Sequence, residues 1–131
     1  MSRLMSVAYT EEAVRARRKT VTRRKGWLML KPGDHLTLCR KVMGRKKGEP
    51  LVRVAEVEVV SVRRESLMVL FGAQYGPTYR YFAACDEVSR EGFPGLRPSE
   101  FVRRYFIDAQ GMQPTDEVTR IEFRYLDEVT P

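Results

Sequence analysis

The chain has 131 residues, 43% of them hydrophobic, which is the size of one domain (expected over residues 1–131) with apolar residues enough for a core. It has no run of about 18 apolar residues, and MSRLMSVAYTEEAV lacks the apolar centre of a signal peptide, so a cytoplasmic protein without a membrane span is expected. The net charge of +7 is polarised: residues 1–53 hold 15 Lys and Arg against four acids, whereas residues 54–131 hold nine against 13, which points to a polyanionic partner for the basic part. Residues 3–8 then predict a short strand. Thr10 caps a helix running from Glu11 to about Arg18, with Glu11 and Glu12 at the positive end of the dipole and Arg15, Arg17 and Arg18 at the negative end. LKPGDHLTLCRKV reads as a turn at Pro32-Gly33-Asp34 followed by a strand with Leu36, Leu38 and Val42 toward the core.

GRKKGEP, Gly44 to Pro50, is a polar loop that joins a hairpin and carries Arg45, Lys46 and Lys47. LVRVAEVEVVSVRR is a long β-branched strand. Val52 and Val54 alternate in one phase and Val57 and Val59 in the other, so the strand holds a bulge or curves into a barrel. In MVLFGAQYGPTYRYFAA, Leu70 and Phe71 read as strand, and Gly72, Gly76 and Pro77 interrupt regular structure. A short helix spans about Asp86 to Arg90 and ends at Gly92. Pro98 opens another, whose apolar stripe is Phe101, Val102, Tyr105 and Phe106 and which Gly111 closes. In VTRIEFRYL, Ile121, Phe123 and Tyr125 alternate with Arg120, Glu122 and Arg124, a half-buried antiparallel strand. The sum is an α+β fold of five or six strands, curved into a small barrel, with two or three flanking helices.

The basic stretch RRKTVTRR, Arg17 to Arg24, is the most distinctive feature. It reads as a solvated face, as a phosphate grip, or as a lysine and threonine set among cations. Lys19 and Thr22 are three apart, so they meet one ligand only where the chain turns. A threonine hydroxyl becomes a nucleophile when a base takes its proton, and a lysine is that base only when burial or nearby cations lower its pKa. One histidine, His35, excludes a His-rich metal cluster, and Cys39 and Cys85 are too few and too distant for a disulfide framework or a zinc site. Nothing in the sequence implies a cofactor or a metal.

RRKTVTRR, with LKPGDHLTLCRKV, SREGFPGLRPSEFVRRYF and VTRIEFRYL downstream, resembles the signature of the ASCH-domain family, which is related to the PUA domains, and in particular its small phage and bacterial members. The family motif is Gly-x-Lys-x-x-Thr-x-Arg. Lys19, Thr22 and Arg24 fill it, and Arg17 stands where the motif has glycine. The likeness covers roughly residues 10 to 126. It implies a small PUA-like β-barrel with a cleft holding Lys19, and RNA or modified nucleosides as ligands (in the host cytoplasm, if the protein is phage-encoded). One bacterial branch is similar to an amidohydrolase that deacetylates N4-acetylcytidine. That likeness makes Lys19 the proton acceptor, Thr22 the nucleophile and Glu91 the proton donor, with Glu87 as the alternative acid. An insertion around Gly72 to Phe82 would then cover the cleft or supply stacking aromatics.

Three readings follow. The first is a module that binds RNA, DNA or a nucleotide through Arg17, Arg18, Lys19, Arg23, Arg24, Lys25, Lys46, Lys47 and a stacking Tyr79. The second is an amidohydrolase for N-acylated nucleobases using Lys19, Thr22 and Glu91. The third is an interaction domain whose basic face has no ligand. Trp27, Tyr75, Tyr81 and Phe82 are either stacking platforms or core anchors. The oligomeric state is not written in the sequence.

Overall fold

A computed structural model describes residues 2–126; Met1 and residues 127–131 of the expected domain lie outside the described residues. Five strands form one mixed sheet: β1 Arg3–Ser6, β2 Val21–Arg24, β3 His35–Cys39, β4 Arg53–Ser66 and β5 Glu117–Tyr125. Their spatial order is β1-β3-β4-β5-β2, with β1 parallel to β3 and every other pair antiparallel. The sheet curls into a half-barrel. Its two edge strands come close enough for Arg24 Nη2 on β2 to donate to Ser6 O on β1 at 2.8 Å.

The curl has a visible cause in β4. Val54 is skipped in the pairing of β4 with β3, where Leu38 faces Ala55 and Cys39 faces Arg53. Val60 is skipped in the pairing with β5, where Val59 faces Phe123 and Ser61 faces Glu122. Each extra residue adds local twist. The valine phase change in the sequence marks the first of these bulges. Ala55, Val57 and Val59 point into the curl, where Met5, Leu36 and Ile121 complete a core.

Among the described residues four α-helices accompany the sheet: α1 Glu11–Arg15, α2 Met68–Phe71, α3 Thr78–Arg90 and α4 Pro98–Val102. The expected first helix is shorter than the sequence suggested. It stops at Arg15, and Arg17 takes a left-handed backbone with φ 62° that a helix cannot contain. Thr10 precedes α1 without a side-chain capping bond. Leu70 and Phe71 belong to helix α2, not a strand: the run is too short for periodicity to separate the two, and Leu70 N bonds back to Leu67 O. The largest correction is α3. It begins at Thr78 rather than near Asp86, so Tyr79, Tyr81 and Phe82 are helical and Pro77 is the residue before its first turn. After α4 the chain continues as a π-helical turn, Arg103–Asp108, before Gly111 (φ 68°) ends the run.

α2, α3, α4 and the π turn enclose a second core around Leu67, Val88, Phe101, Phe106 and Val118. Tyr81 packs against it, whereas Tyr75, Tyr79 and Phe82 are exposed. Trp27 packs half-buried against the first core. Among the described residues no helix is long and apolar enough to cross a membrane.

Candidate active site

Strand alternation decides what β2 presents. Thr22 faces Ile121 and Arg23 faces Arg120 across the ladder, so Thr22 and Arg24 share one side of the sheet and Arg23 the other. Lys19 precedes the strand and escapes its alternation. Its backbone is pinned from two directions: Lys19 N donates to Ala13 O at 3.3 Å, and Tyr125 Oη donates to Lys19 O at 2.5 Å. Thr20 fixes the same segment to α3, donating its N–H to Arg90 O at 2.9 Å and accepting Arg90 Nε at 3.1 Å. The turn that brings Lys19 and Thr22 to one cavity is thus held by both α1 and α3.

Glu91 follows α3 directly. Gly92 after it has φ 106°, and a Cβ there would come within 3.1 Å of Thr10 Cγ2 and 3.2 Å of Ala13 Cβ. This close approach of the α3 end to α1 puts Glu91 at the β2 edge. Lys19 Nζ donates to Glu91 O at 2.5 Å and to Glu91 Oε1 at 3.3 Å. Arg23 Nη1 donates to the other oxygen, Oε2, at 3.0 Å. Lys19, Thr22 and Glu91 are only 3%, 2% and 2% exposed, yet all three line one cavity of about 170 Å³. Its far wall is aromatic: Tyr9, Phe93, Tyr105 and Phe106, with Phe93 and Tyr105 stacked at 4.5 Å between centroids. The π turn supplies two adjacent wall residues, Tyr105 and Phe106.

Burial is the main force on Lys19 and pushes its pKa down from 10.5 to about 8; Arg24 and Arg23 act the same way, and Glu91 opposes them. Thr22 Oγ1 accepts a hydrogen bond from Arg24 Nε at 3.0 Å. The Arg24 guanidinium is itself pushed below its ordinary pKa by burial, with Glu91 pulling the other way. The cavity therefore holds a hydroxyl polarised by a cation, a buried lysine partly neutral near pH 8, and a carboxylate in contact with that lysine. These are the groups needed to make a nucleophile and carry its proton.

Behind this cavity runs a buried ion network that sequence reasoning missed. Arg23 also donates to Glu65 Oε2 at 2.8 Å and to Glu87 Oε1 at 2.5 Å. Burial works against the charge of Arg23, but Glu91, Glu65 and Glu87 outweigh it and raise its pKa. Glu87 also clamps Arg120 through Nε at 2.7 Å and Nη2 at 3.0 Å. Burial would raise the Glu87 pKa, yet the bonds from Arg120 and Arg23 take it down to about 2. Glu87 and Glu91 are thereby told apart: Glu91 lines the Lys19 cavity, and Glu87 lies beyond Arg23.

The other sequence-nominated cations scatter. Arg17 stacks over the Tyr125 ring at 4.8 Å and bonds Val14 O at 2.9 Å. Arg18 pairs with Glu12 on the surface. Lys25 is exposed after β2, and Lys46 and Lys47 are exposed on the β3–β4 loop. Tyr79 is exposed on the first turn of α3. The segment Gly72 to Phe82 does not line the Lys19 cavity; Gly72, Ala73, Gly76 and Arg80 border a second hollow on the far side of Arg23. Among the described residues no group of three or more His, Cys, Asp or Glu is placed to hold a metal ion.

The half-barrel fold is one known in solved structures. The fold is that of ASCH-domain proteins. The chain matches the crystal structure of an ASCH protein from Zymomonas mobilis with a TM-score of 0.55 and 14% identity, covering 92% of this chain and 65% of that one. It matches the ASCH domain from Lactobacillus crispatus with a TM-score of 0.57 and 12% identity, covering 94% of this chain and 79% of that one. The chain thus spans less than two thirds of the Zymomonas protein. No family model matches the sequence, and no curated protein matches it significantly.

Proposed function

We propose that the protein is an amidohydrolase that cleaves the acyl group from an N-acylated nucleobase such as N4-acetylcytidine. The observation that carries this reading is the convergence of the buried residues Lys19, Thr22 and Glu91 on one cavity, with burial holding the lysine pKa near 8. Neutral Lys19 takes the proton of Thr22, and Thr22 Oγ1 forms a bond to the acyl carbon. The carbon–nitrogen bond then breaks, and the proton passes to the departing amine through Glu91, which touches Lys19. Water cleaves the acyl-threonine by the reverse proton route and regenerates Thr22. The aromatic wall of Phe93 and Tyr105 suits the flat face of a base.

The test is release of cytidine from N4-acetylcytidine by purified protein, followed chromatographically. Thr22→Ser keeps a hydroxyl and should retain part of the activity. Thr22→Val keeps the shape and should abolish it. Wild-type turnover no faster than that of Thr22→Val removes this reading.

A second reading, binding to RNA or DNA, is favoured by one observation: Lys25, Lys46 and Lys47 are exposed, and among the described residues no carboxylate forms an ion pair with their ammonium groups, although the Lys46 N–H donates to Glu49 Oε1. Three phosphate contacts would give log K a slope of about −2 against log salt on single strands. A titration at several salt concentrations reads it, and no binding to any RNA or DNA at low salt would remove it.

A further inference from the structure

Arg24, half-buried at the sheet edge, is unlike the buried cations beside it. Lys19 and Arg23 each meet a carboxylate, but among the described residues none is in ion-pair contact with Arg24. A half-buried guanidinium with no carboxylate in direct contact, and Glu91 acting on it only from a distance, has capacity left for a negative charge brought by a ligand. Its protein contacts are two: Nε to Thr22 Oγ1 at 3.0 Å and Nη2 to Ser6 O at 2.8 Å. A guanidinium has five N–H groups, so three remain, beside the cavity that Arg24 lines.

Where negative charge would arise follows from the chemistry. When Thr22 Oγ1 bonds to an acyl carbon, the carbonyl electron pair moves onto oxygen. That oxygen is one bond from the carbon under attack and thus close to whatever already touches the nucleophile. Lys19 becomes an ammonium only as the oxyanion forms, it already donates to Glu91 O and Oε1, and it must pass its new proton on to the departing amine. Arg24 stays charged throughout and is in contact with the attacking atom. We propose that Arg24 is a catalytic residue whose free N–H groups hold the oxyanion of the tetrahedral intermediate while its Nε polarises Thr22. This rests on the amidohydrolase reading. The step balances: the Thr22 proton goes to Lys19, the carbonyl pair goes to oxygen, and on collapse the pair returns as the carbon–nitrogen bond breaks and the amine takes the proton. The rival donors are the backbone N–H groups of Ala8 and Tyr9, which line the same cavity and bond to no acceptor among the described residues.

The test compares wild type, Arg24→Lys and Arg24→Ala in N4-acetylcytidine hydrolysis, with folding checked by circular dichroism. Loss of an oxyanion donor should lower kcat about 10²–10³-fold with KM within a few-fold. Millimolar guanidinium added to Arg24→Ala should restore part of kcat, which a structural defect would not show. If Arg24→Ala does not fold, Arg24→Lys, which keeps the charge at the sheet edge, is read by the same split. A raised KM with unchanged kcat would make Arg24 a ground-state anchor and overturn the assignment. Unchanged kcat and KM would overturn it in favour of the Ala8 and Tyr9 amides, leaving the amidohydrolase reading intact. An inactive wild type overturns both together.

Discussion

If neutral Lys19 is the base, the rate of hydrolysis must follow its deprotonation. With a pKa of about 8, Lys19 is neutral in about 1% of molecules at pH 6, about a tenth at pH 7 and half at pH 8. The value of kcat/KM should therefore climb close to tenfold per pH unit below pH 7 and level off above about pH 9, a rise of about 90-fold from pH 6 to 9. The sign follows from the cause: burial disfavours the charged form, and Arg24 and Arg23 add to that, so the base is freed well below the ordinary lysine pKa. Glu91 opposes this shift, so Glu91→Gln should move the midpoint lower even as it slows turnover. The assay is cytidine release at constant ionic strength from pH 6 to 9.5, with circular dichroism at each pH. A rate that is flat or falls across this range would refute the role of Lys19 as base. A midpoint near 10.5 would refute the claim that burial perturbs it.

The same buried charges govern stability. Glu87→Ala would leave Arg23 and Arg120 opposite one another on adjacent strands without the carboxylate that clamps both, and urea unfolding should show a loss of about 3–5 kcal/mol. Because the Glu87 pKa is lowered from 4.5 to about 2, its contribution is complete above pH 4.5 and is lost as pH falls toward 2; the gap between wild type and Glu87→Gln should shrink over that window. Gly92→Ala should cost more than about 1 kcal/mol, since φ 106° is strained for alanine and its Cβ would press on Thr10 and Ala13; a thermal melt matching wild type would show that the α3 end has slack. In a nucleic-acid titration, Lys46→Ala and Lys47→Ala together should make the salt slope shallower by about 1.4 on single strands if both contact phosphate, and an unchanged slope would place the contact elsewhere.

Much of the sheet is legible in the sequence because alternation survives in it. The valines of β4 and Ile121, Phe123 and Tyr125 of β5 write the inner face of the curl directly. α3 is not legible for a physical reason. Its buried residues are Ala84 and Val88, both small, while Tyr79 and Phe82 are exposed, so the apolar stripe that marks a helix is reversed in weight. That helix also decides what Arg23 and Arg120 meet. Alternation puts them on the outer face of the sheet, but α3 covers that face and converts their charges into a buried network with Glu87. The resemblance to the family motif, not the spacing by itself, singled out Lys19, Thr22 and Arg24. The acid stayed open because Glu87 and Glu91 are four residues apart, one helical turn, and project in similar directions. The polarised charge of the sequence partly mixes again in space, since Glu65, Glu87 and Glu91 of the acidic part meet Lys19 and Arg23 of the basic part.

Arg17 gives the motif its sharpest physical test. The resemblance places a glycine there, and the structure supplies the reason: the backbone is left-handed, φ 62°, which costs a side-chain-bearing residue about 1–2 kcal/mol and glycine little. This turn ends α1 and sets Lys19 against Ala13 O. Arginine tolerates the strain because its guanidinium lies over Tyr125, worth about 0.5–1 kcal/mol, and bonds Val14 O. The ring it covers belongs to the tyrosine whose hydroxyl holds Lys19 O, so the side chain supports the site from behind and does not line the cavity. Arg17→Gly exchanges one stabilising effect for the other, and unfolding free energy should change by less than about 1 kcal/mol with hydrolysis retained. Arg17→Val keeps the strain, worsens it by β-branching and loses the stacking, so it should lose about 2 kcal/mol or more. A tenfold loss of activity in Arg17→Gly at unchanged stability would mean that the guanidinium touches substrate. A stable Arg17→Val would mean that the left-handed turn is not what the glycine of the motif is for.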